Sequence, residues 1–103
     1  MSSINALGIS NNNSLVSLQG LTNLTEIGGI SIYDNDQLEN LGGLEGVTSF
    51  LGISIWNNNV LTDFCAIEDF VVLYADVIWE ILELGNNGYN PTIDDFLNGD
   101  CSL

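Results

Sequence analysis

The chain has 103 residues, 14 of them acidic, with no lysine, arginine or histidine, so its formal net charge is −14. That balance excludes side-chain salt bridges, the phosphate neutralisation that nucleic-acid binding needs, Schiff-base and histidine-based catalysis, and attraction to an anionic membrane surface; a cationic partner, or Ca²⁺ held by Asp and Asn oxygens, is allowed. Mean hydropathy is positive, at +0.27, too apolar for a disordered acidic chain, and the length fits one domain or part of one.

From Leu7 onward the sequence repeats with a period of 23 residues: one copy runs from Leu7 to Gly29, a second from Ile30 to Gly52, and a third begins at Ile53. Equivalent positions match down the chain: Ile9, Ile32, Ile55; Asn12, Asn35, Asn58; Leu15, Leu38, Leu61; Leu18, Leu41, Phe64; Leu21, Leu44, Ile67; Leu24, Val47, Phe70. A fixed period of this size predicts a solenoid, whose coils bury apolar side chains only by stacking on their neighbours. The chain opens directly on repeat sequence, with no leader and no cap before the first copy, so further repeats are expected ahead of it in a longer chain.

Within a copy, Ile30-Ser31-Ile32-Tyr33 and Ile53-Ser54-Ile55-Trp56 alternate apolar and polar residues, as strands with one buried face do. Each is followed by an Asn-rich turn: Asn11-Asn12-Asn13, Asp34-Asn35-Asp36 and Asn57-Asn58-Asn59. Leu-x-x-Leu segments come next, at Leu15 to Leu18 and Leu38 to Leu41. Gly20 and Gly43 are then expected to make corners that need a left-handed backbone or close approach. Leu24 to Ile27 and Val47 to Phe50 read as a third extended segment, with Gly28-Gly29 and Gly52 closing the coil. The pattern predicts short parallel strands in two or three sheets.

After Phe64 the pattern changes. Cys65 to Tyr74 has helical spacing, with Ala66, Phe70 and Leu73 on one side. The stretch that follows can be read as more helix, placing Asp69, Asp76, Glu80 and Glu83 on one face, or as a closing strand over Val77 to Leu84, with Val77-Ile78-Trp79 one period after Ser54-Ile55-Trp56. The strand is the favoured reading. Val71 to Leu84 carries Asp76, Glu80 and Glu83 and is too short to span a bilayer. Thr92-Ile93-Asp94-Asp95, after Pro91, has the form of a capping box with Asp in place of Glu, and Gly99 is a suitable stop. A short helix over Ile93 to Asn98 is expected.

The copies resemble the leucine-rich, receptor-L-domain-like repeats of bacterial secreted and cell-surface proteins. Gly20 to Gly29 (GLTNLTEIGG) and the strand–Asn units Ile32-Tyr33-Asp34-Asn35 and Ile55-Trp56-Asn57-Asn58 carry the resemblance. So do Phe64-Cys65-Ala66-Ile67, Gly88-Tyr89-Asn90-Pro91-Thr92 and Asn98-Gly99-Asp100-Cys101-Ser102, which look like the terminal cap of such proteins. The departures are the missing Lys and Arg, and Leu73-Tyr74-Ala75-Asp76 where a glycine turn is usual. The resemblance implies a β-rich solenoid, a right-handed coil of short parallel strands, with one or two short helices in a C-terminal cap. It also implies an extracellular or cell-surface location and a binding or adhesion role. The coils would occupy residues 4–64 and the cap residues 65–103 of one domain.

Five sets of residues are candidate sites. Cys65 and Cys101, the only cysteines, read as a structural disulfide, which implies an oxidising compartment; a metal site or redox pair is the alternative, disfavoured by the missing histidine and the absence of Cys-x-x-Cys. Asn12, Asn35 and Asn58 read as a structural asparagine ladder, or else, with Asp34 and Asp36, as Ca²⁺ ligands; Ca²⁺ normally takes six to eight oxygens, so the ladder is favoured and no metal is expected. Asp34 with Asp36, Asp94 with Asp95, and Glu80 with Glu83 are the acid pairs that glycoside hydrolysis could use. Asn12 and Asn23 head N-glycosylation patterns. Tyr33 and Trp56 occupy equivalent positions after consecutive strands and should lie side by side, offering a sugar or peptide platform if exposed; Trp79 reads as core or cap packing.

The expected function is a non-enzymatic extracellular module, without cofactor, that binds a protein or glycan. A polysaccharide-degrading enzyme with an Asp cluster is a second possibility. A purely structural spacer is a third, favoured if Tyr33 and Trp56 are buried.

Overall fold

The computed structural model describes every residue except Met1, Asn13, Thr22 and Asn23, and describes the backbone but not the side chains of Ser2, Ser3, Ile4, Leu21 and Trp79. The Leu21 and Trp79 packing positions and the Asn23 glycosylation pattern therefore lie outside the described residues. Four strands, β1 (Ser2–Ser10), β2 (Leu24–Tyr33), β3 (Ser49–Trp56) and β4 (Leu82–Gly85), form one sheet in the order β1-β2-β3-β4. Every neighbouring pair is parallel.

The sequence period is also the register. Ile9 pairs with Ile32 and Ile32 with Ile55; Ser10 pairs with Tyr33 and Tyr33 with Trp56. Alternation along the strands sends Ile30, Ile32, Ile53 and Ile55 inward and leaves Ser31, Tyr33, Ser54 and Trp56 on the outer face. The return segments supply the other side of the core, with Leu38, Leu41, Leu44, Leu61, Phe64 and Ile67 all buried. They too bond to their neighbours, as in Glu39 N–H to the Val16 carbonyl and Thr62 N–H to the Glu39 carbonyl.

Each of the four strands ends in the same device. Asn11, Asp34, Asn57 and Asn86 take left-handed backbone angles, with φ of 56°, 57°, 61° and 53°, which Asn and Asp tolerate better than other side-chain-bearing residues. The three earlier ones also donate their backbone N–H to the carbonyl that ends the next strand, Tyr33, Trp56 and Gly85 respectively.

Several expectations need correction. The extended segments at 24–27 and 30–33 are one strand that runs through Gly28-Gly29, and Gly52 likewise lies inside β3. Two glycines do not break a strand whose neighbours on both sides fix its backbone. The Leu-x-x-Leu segments form no second strand, only an isolated bridge between Asn40 and Asp63, so the described residues hold one sheet rather than two or three. Of the two corner glycines, Gly43 does need its residue type: φ is +119°, and a Cβ there would collide with the Leu18 carbonyl. Gly20 has neither constraint.

Past Phe64 the chain makes a 3-10 turn at Cys65–Ile67 and then helix α1 (Glu68–Leu73). Its buried side is Phe70 and Val71, not Leu73, which is 74% exposed. The change from 3-10 to α pitch rotates the face that a uniform helix would bury. The closing strand is also displaced. Residues 78–80 form a 3-10 turn, and β4 pairs Ser54 with Glu83 and Ile55 with Leu84, an offset of 29 instead of 23. α1 and the turns after it lengthen this connection by six residues. Helix α2 (Ile93–Leu97) begins with the expected capping box: Thr92 accepts from the Asp95 N–H, and the Asp95 carboxylate accepts from the Thr92 N–H.

Cys65 and Cys101 form a disulfide across 36 positions, with Cα atoms 4.9 Å apart. A loop of this length stabilises by about 3–4 kcal/mol, chiefly by restricting the unfolded chain. The Phe64 N–H donates to the Cys101 carbonyl beside it. No helix among the described residues is long and apolar enough to cross a membrane.

Candidate functional site

The outer face of the sheet carries three rows of residues set by the register. Ala6, Gly29 and Gly52 form one; Gly8, Ser31, Ser54 and Glu83 the next; Ser10, Tyr33, Trp56 and Gly85 the third. A Cβ built on Gly8, Gly29 or Gly52 meets nothing within 4 Å, so across β1, β2 and β3 the first two rows form an open floor of backbone and small side chains. Gly29, Ser31, Gly52 and Ser54 line a shallow groove there, with Ile81 and Glu83 along one side.

Tyr33 and Trp56 lie in the row beside the Ser31 and Ser54 that line this groove. Both are half-buried, between the exposed platform and the buried packing that the sequence left open. Each leans toward the following strand. The Tyr33 hydroxyl lies 2.8 Å from Ser54 Oγ. The Trp56 ring lies over Gly85, where an added Cβ would collide with its six-membered ring. A glycine under an aromatic ring lets the ring sit flat against the backbone of the next strand. The two rings therefore cover adjacent strands, one held by a hydrogen bond and one by a seat without side chain. Aromatic faces held this way offer large contact area at little further entropic cost.

The asparagines lie at the ends of the strands. The Asn12 N–H and Nδ2 both donate to Asn35 Oδ1, at 3.2 Å each. Asn35 does the same to Asn58 Oδ1, at 3.1 and 3.0 Å, and Asn58 to Asn87 Oδ1, at 3.1 and 3.0 Å. The second Nδ2 hydrogen reaches back to a strand carbonyl: Ile9 for Asn35, Ile32 for Asn58 and Ile55 for Asn87. Asn90 ends the line by accepting both Asn87 donors. Asn35 and Asn58 are fully buried, and their side-chain oxygens are occupied by these bonds. Among the described residues no group of three or more His, Cys, Asp or Glu side chains is placed to hold a metal ion.

Sequence reasoning missed Asn87 and Asn90. The signal was present, since Leu84-Gly85-Asn86-Asn87 repeats Ile55-Trp56-Asn57-Asn58, but outside the 23-residue frame. It also missed Gly29, Gly52, Ser31, Ser54 and Glu83 as parts of the outer face.

The acid pairs fall in separate places. Asp34 and Asp36 are exposed at the turn after β2. Glu80 closes a 3-10 turn, while Glu83 lies on β4 beside the groove. Asp94 and Asp95 open α2, where Asp95 serves the cap. Asn12, which heads the other glycosylation pattern, is engaged with Asn35. Nearby, Tyr89 donates its hydroxyl to the Asp100 carbonyl at 2.9 Å. Desolvation, then the Asp95 and Asp100 charges and a hydrogen bond to Asp95, raise its phenol above the ordinary value.

No protein-family model, curated protein or solved structure matches the chain.

Proposed function

We propose that this chain is a non-enzymatic binding module of the leucine-rich, receptor-L-domain-like kind, a short β-solenoid whose outer sheet face recognises a protein or glycan outside the cell. The observation that carries this reading is the registered pair Tyr33 and Trp56, half-buried beside a floor of Gly29, Gly52, Ser31 and Ser54. Over Gly29–Tyr33 of β2 and Gly52–Trp56 of β3 the side chains turned outward are small or aromatic, as suits a surface that lets a flat or extended ligand approach the backbone and stack at one end. The ladder and disulfide give that face a rigid frame, and the disulfide fits an oxidising, extracellular setting.

The test is a screen of the disulfide-bonded protein against glycan and protein arrays, repeated with Tyr33→Ala and Trp56→Ala. Each variant is expected to lower affinity for any captured ligand by roughly thirtyfold, the scale of an aromatic anchor worth about 2 kcal/mol. Binding that is unchanged in both variants sinks the platform.

A further inference from the structure

The cap leaves an apolar groove open between its two helices. Val72 and Leu73 of α1 and Leu97 of α2 line it, together with the buried Phe96. The groove holds about 460 Å³, and Val72, Leu73 and Leu97 are 42%, 74% and 52% exposed. Leu73 has the helical spacing of a core residue, yet the described core does not take it in. The described tail beyond Gly99 bonds elsewhere: Ser102 bridges to Asp63, and the Leu103 N–H donates to the Thr62 carbonyl. Exposed apolar clusters with a charged rim mark interaction surfaces.

The rim here is anionic, because Glu68 and Asp69 also line the groove. Glu68 stands four positions before Val72, and Asp69 four before Leu73, so α1 carries its carboxylates and its apolar wall on one stripe. Glu68 is already half-buried. An occupant that covers the leucines must also take water from these carboxylates, and a carboxylate desolvated without a cation beside it is costly. The 103 residues contain no Lys, Arg or His. Neither a second copy nor another segment of these residues therefore brings the missing side-chain cation, and an anionic membrane surface would add to the repulsion.

We propose that this groove docks a basic amphipathic helix of another protein. Its apolar side chains fill the space between Val72, Leu73 and Leu97, and its Lys or Arg side chains meet Glu68 and Asp69. A groove between packed helices accepts an amphipathic helix through apolar residues at i, i+3 and i+4, and a basic flank on that helix supplies the cation that this chain lacks. The net charge of −14 draws such a partner in and turns acidic ones away. The docking does not depend on the outer-face reading, because Tyr33 and Trp56 lie on β2 and β3.

The test is an amide NMR titration of the intact, disulfide-bonded chain with a synthetic peptide of about 15 residues, long enough to form a helix, with Leu on one face and Lys on the other. A peptide of the same composition with the faces scrambled, and one with Glu in place of Lys, are the controls. Shifts confined to residues 68–73 and 93–99 are expected, with binding that salt weakens. The scrambled peptide should bind roughly tenfold more weakly and the Glu peptide not at all. Leu73→Ser and Leu97→Ser should each cost roughly tenfold in affinity, the scale of a lost apolar anchor, whereas Leu51→Ser, at an exposed leucine of β3, should cost nothing. Circular dichroism checks that each variant folds, and the shift map of the wild type needs no variant. No binding, equal binding of the scrambled or Glu peptide, shifts spread over the other acidic residues, or a concentration-dependent rise in mass that Leu73→Ser abolishes (a second copy in the groove) would each overturn the proposal.

Discussion

Asn58 shows how much one side chain does here. Its Nδ2 donates to Ile32 and Trp56 carbonyls and to Asn87 Oδ1, its N–H donates to the same oxygen, and its own Oδ1 accepts two bonds from Asn35. Alanine at this position would strand buried donors and acceptors on three strand ends. Because a buried polar group left without its partner costs roughly 1–3 kcal/mol, Asn58→Ala is expected to destabilise by about 3 kcal/mol or more in urea unfolding. Asn58→Asp should be at least as harmful at neutral pH. It places a carboxylate against the two carbonyls and the Asn87 Oδ1 that now accept from the amide, in a site with no cation to offset it. Tyr89 gives a pH signature at the same scale. Its phenol titrates above the ordinary value of 10.0 in the folded chain, so the unfolded chain loses that proton first. The stability linked to this shift is complete below pH 10 and is lost as pH rises through the folded value. The advantage of wild type over Tyr89→Phe in thermal unfolding should therefore shrink above pH 10; an advantage that grows there would refute the assignment.

The strands tie register to surface. Gly52 lies on the groove floor with open space above it and an extended backbone, so Gly52→Val should fold normally while filling the floor. Any ligand captured by the outer face should bind at least tenfold more weakly, the equivalent of about 1.4 kcal/mol, with thermal stability unchanged or slightly higher, as a β-branched residue replaces glycine in a strand. Unchanged affinity would move the contact surface elsewhere. These strands were legible in the sequence because Ile-Ser-Ile-aromatic-Asn/Asp-Asn recurs at a spacing that became the pairing register itself. The aromatic pair was legible for the same reason. What escaped was everything that depends on the third dimension after the repeat is interrupted. The six residues added before β4 broke the frame, so Val77-Ile78-Trp79 looked like the next strand. Only pairing against Ser54 and Ile55 reveals that Glu83 and Leu84 take that place. The continuity of β2 through Gly28-Gly29 was likewise hidden, because local propensity argues against it and only the neighbouring strands enforce it.

For the whole molecule, the decisive fact is that 14 negative side-chain charges share a body of 34 × 31 × 19 Å without one positive side chain. Burial, the asparagine line and the disulfide must overcome that self-repulsion. Screening shortens its reach from about 30 Å at 0.01 M salt to about 10 Å at 0.1 M, so the melting temperature should rise with sodium chloride over this range. A temperature that stays flat or falls would show that the acids are too dispersed to matter. The same architecture underlies the functional claim: parallel strands locked one period apart bring two aromatic side chains together on an outer face floored by glycine and serine. If Tyr33 and Trp56 act as one platform, a bound ligand touches both and their contributions are coupled. The most direct measurement is a double-mutant cycle on ligand affinity with Tyr33→Ala, Trp56→Ala and the combined variant. The account predicts that each single change weakens binding and that the double loss departs from the sum of the singles by 0.5 kcal/mol or more, the range seen for residues that share a partner. Full affinity in the double variant, or two strictly additive losses, would contradict it.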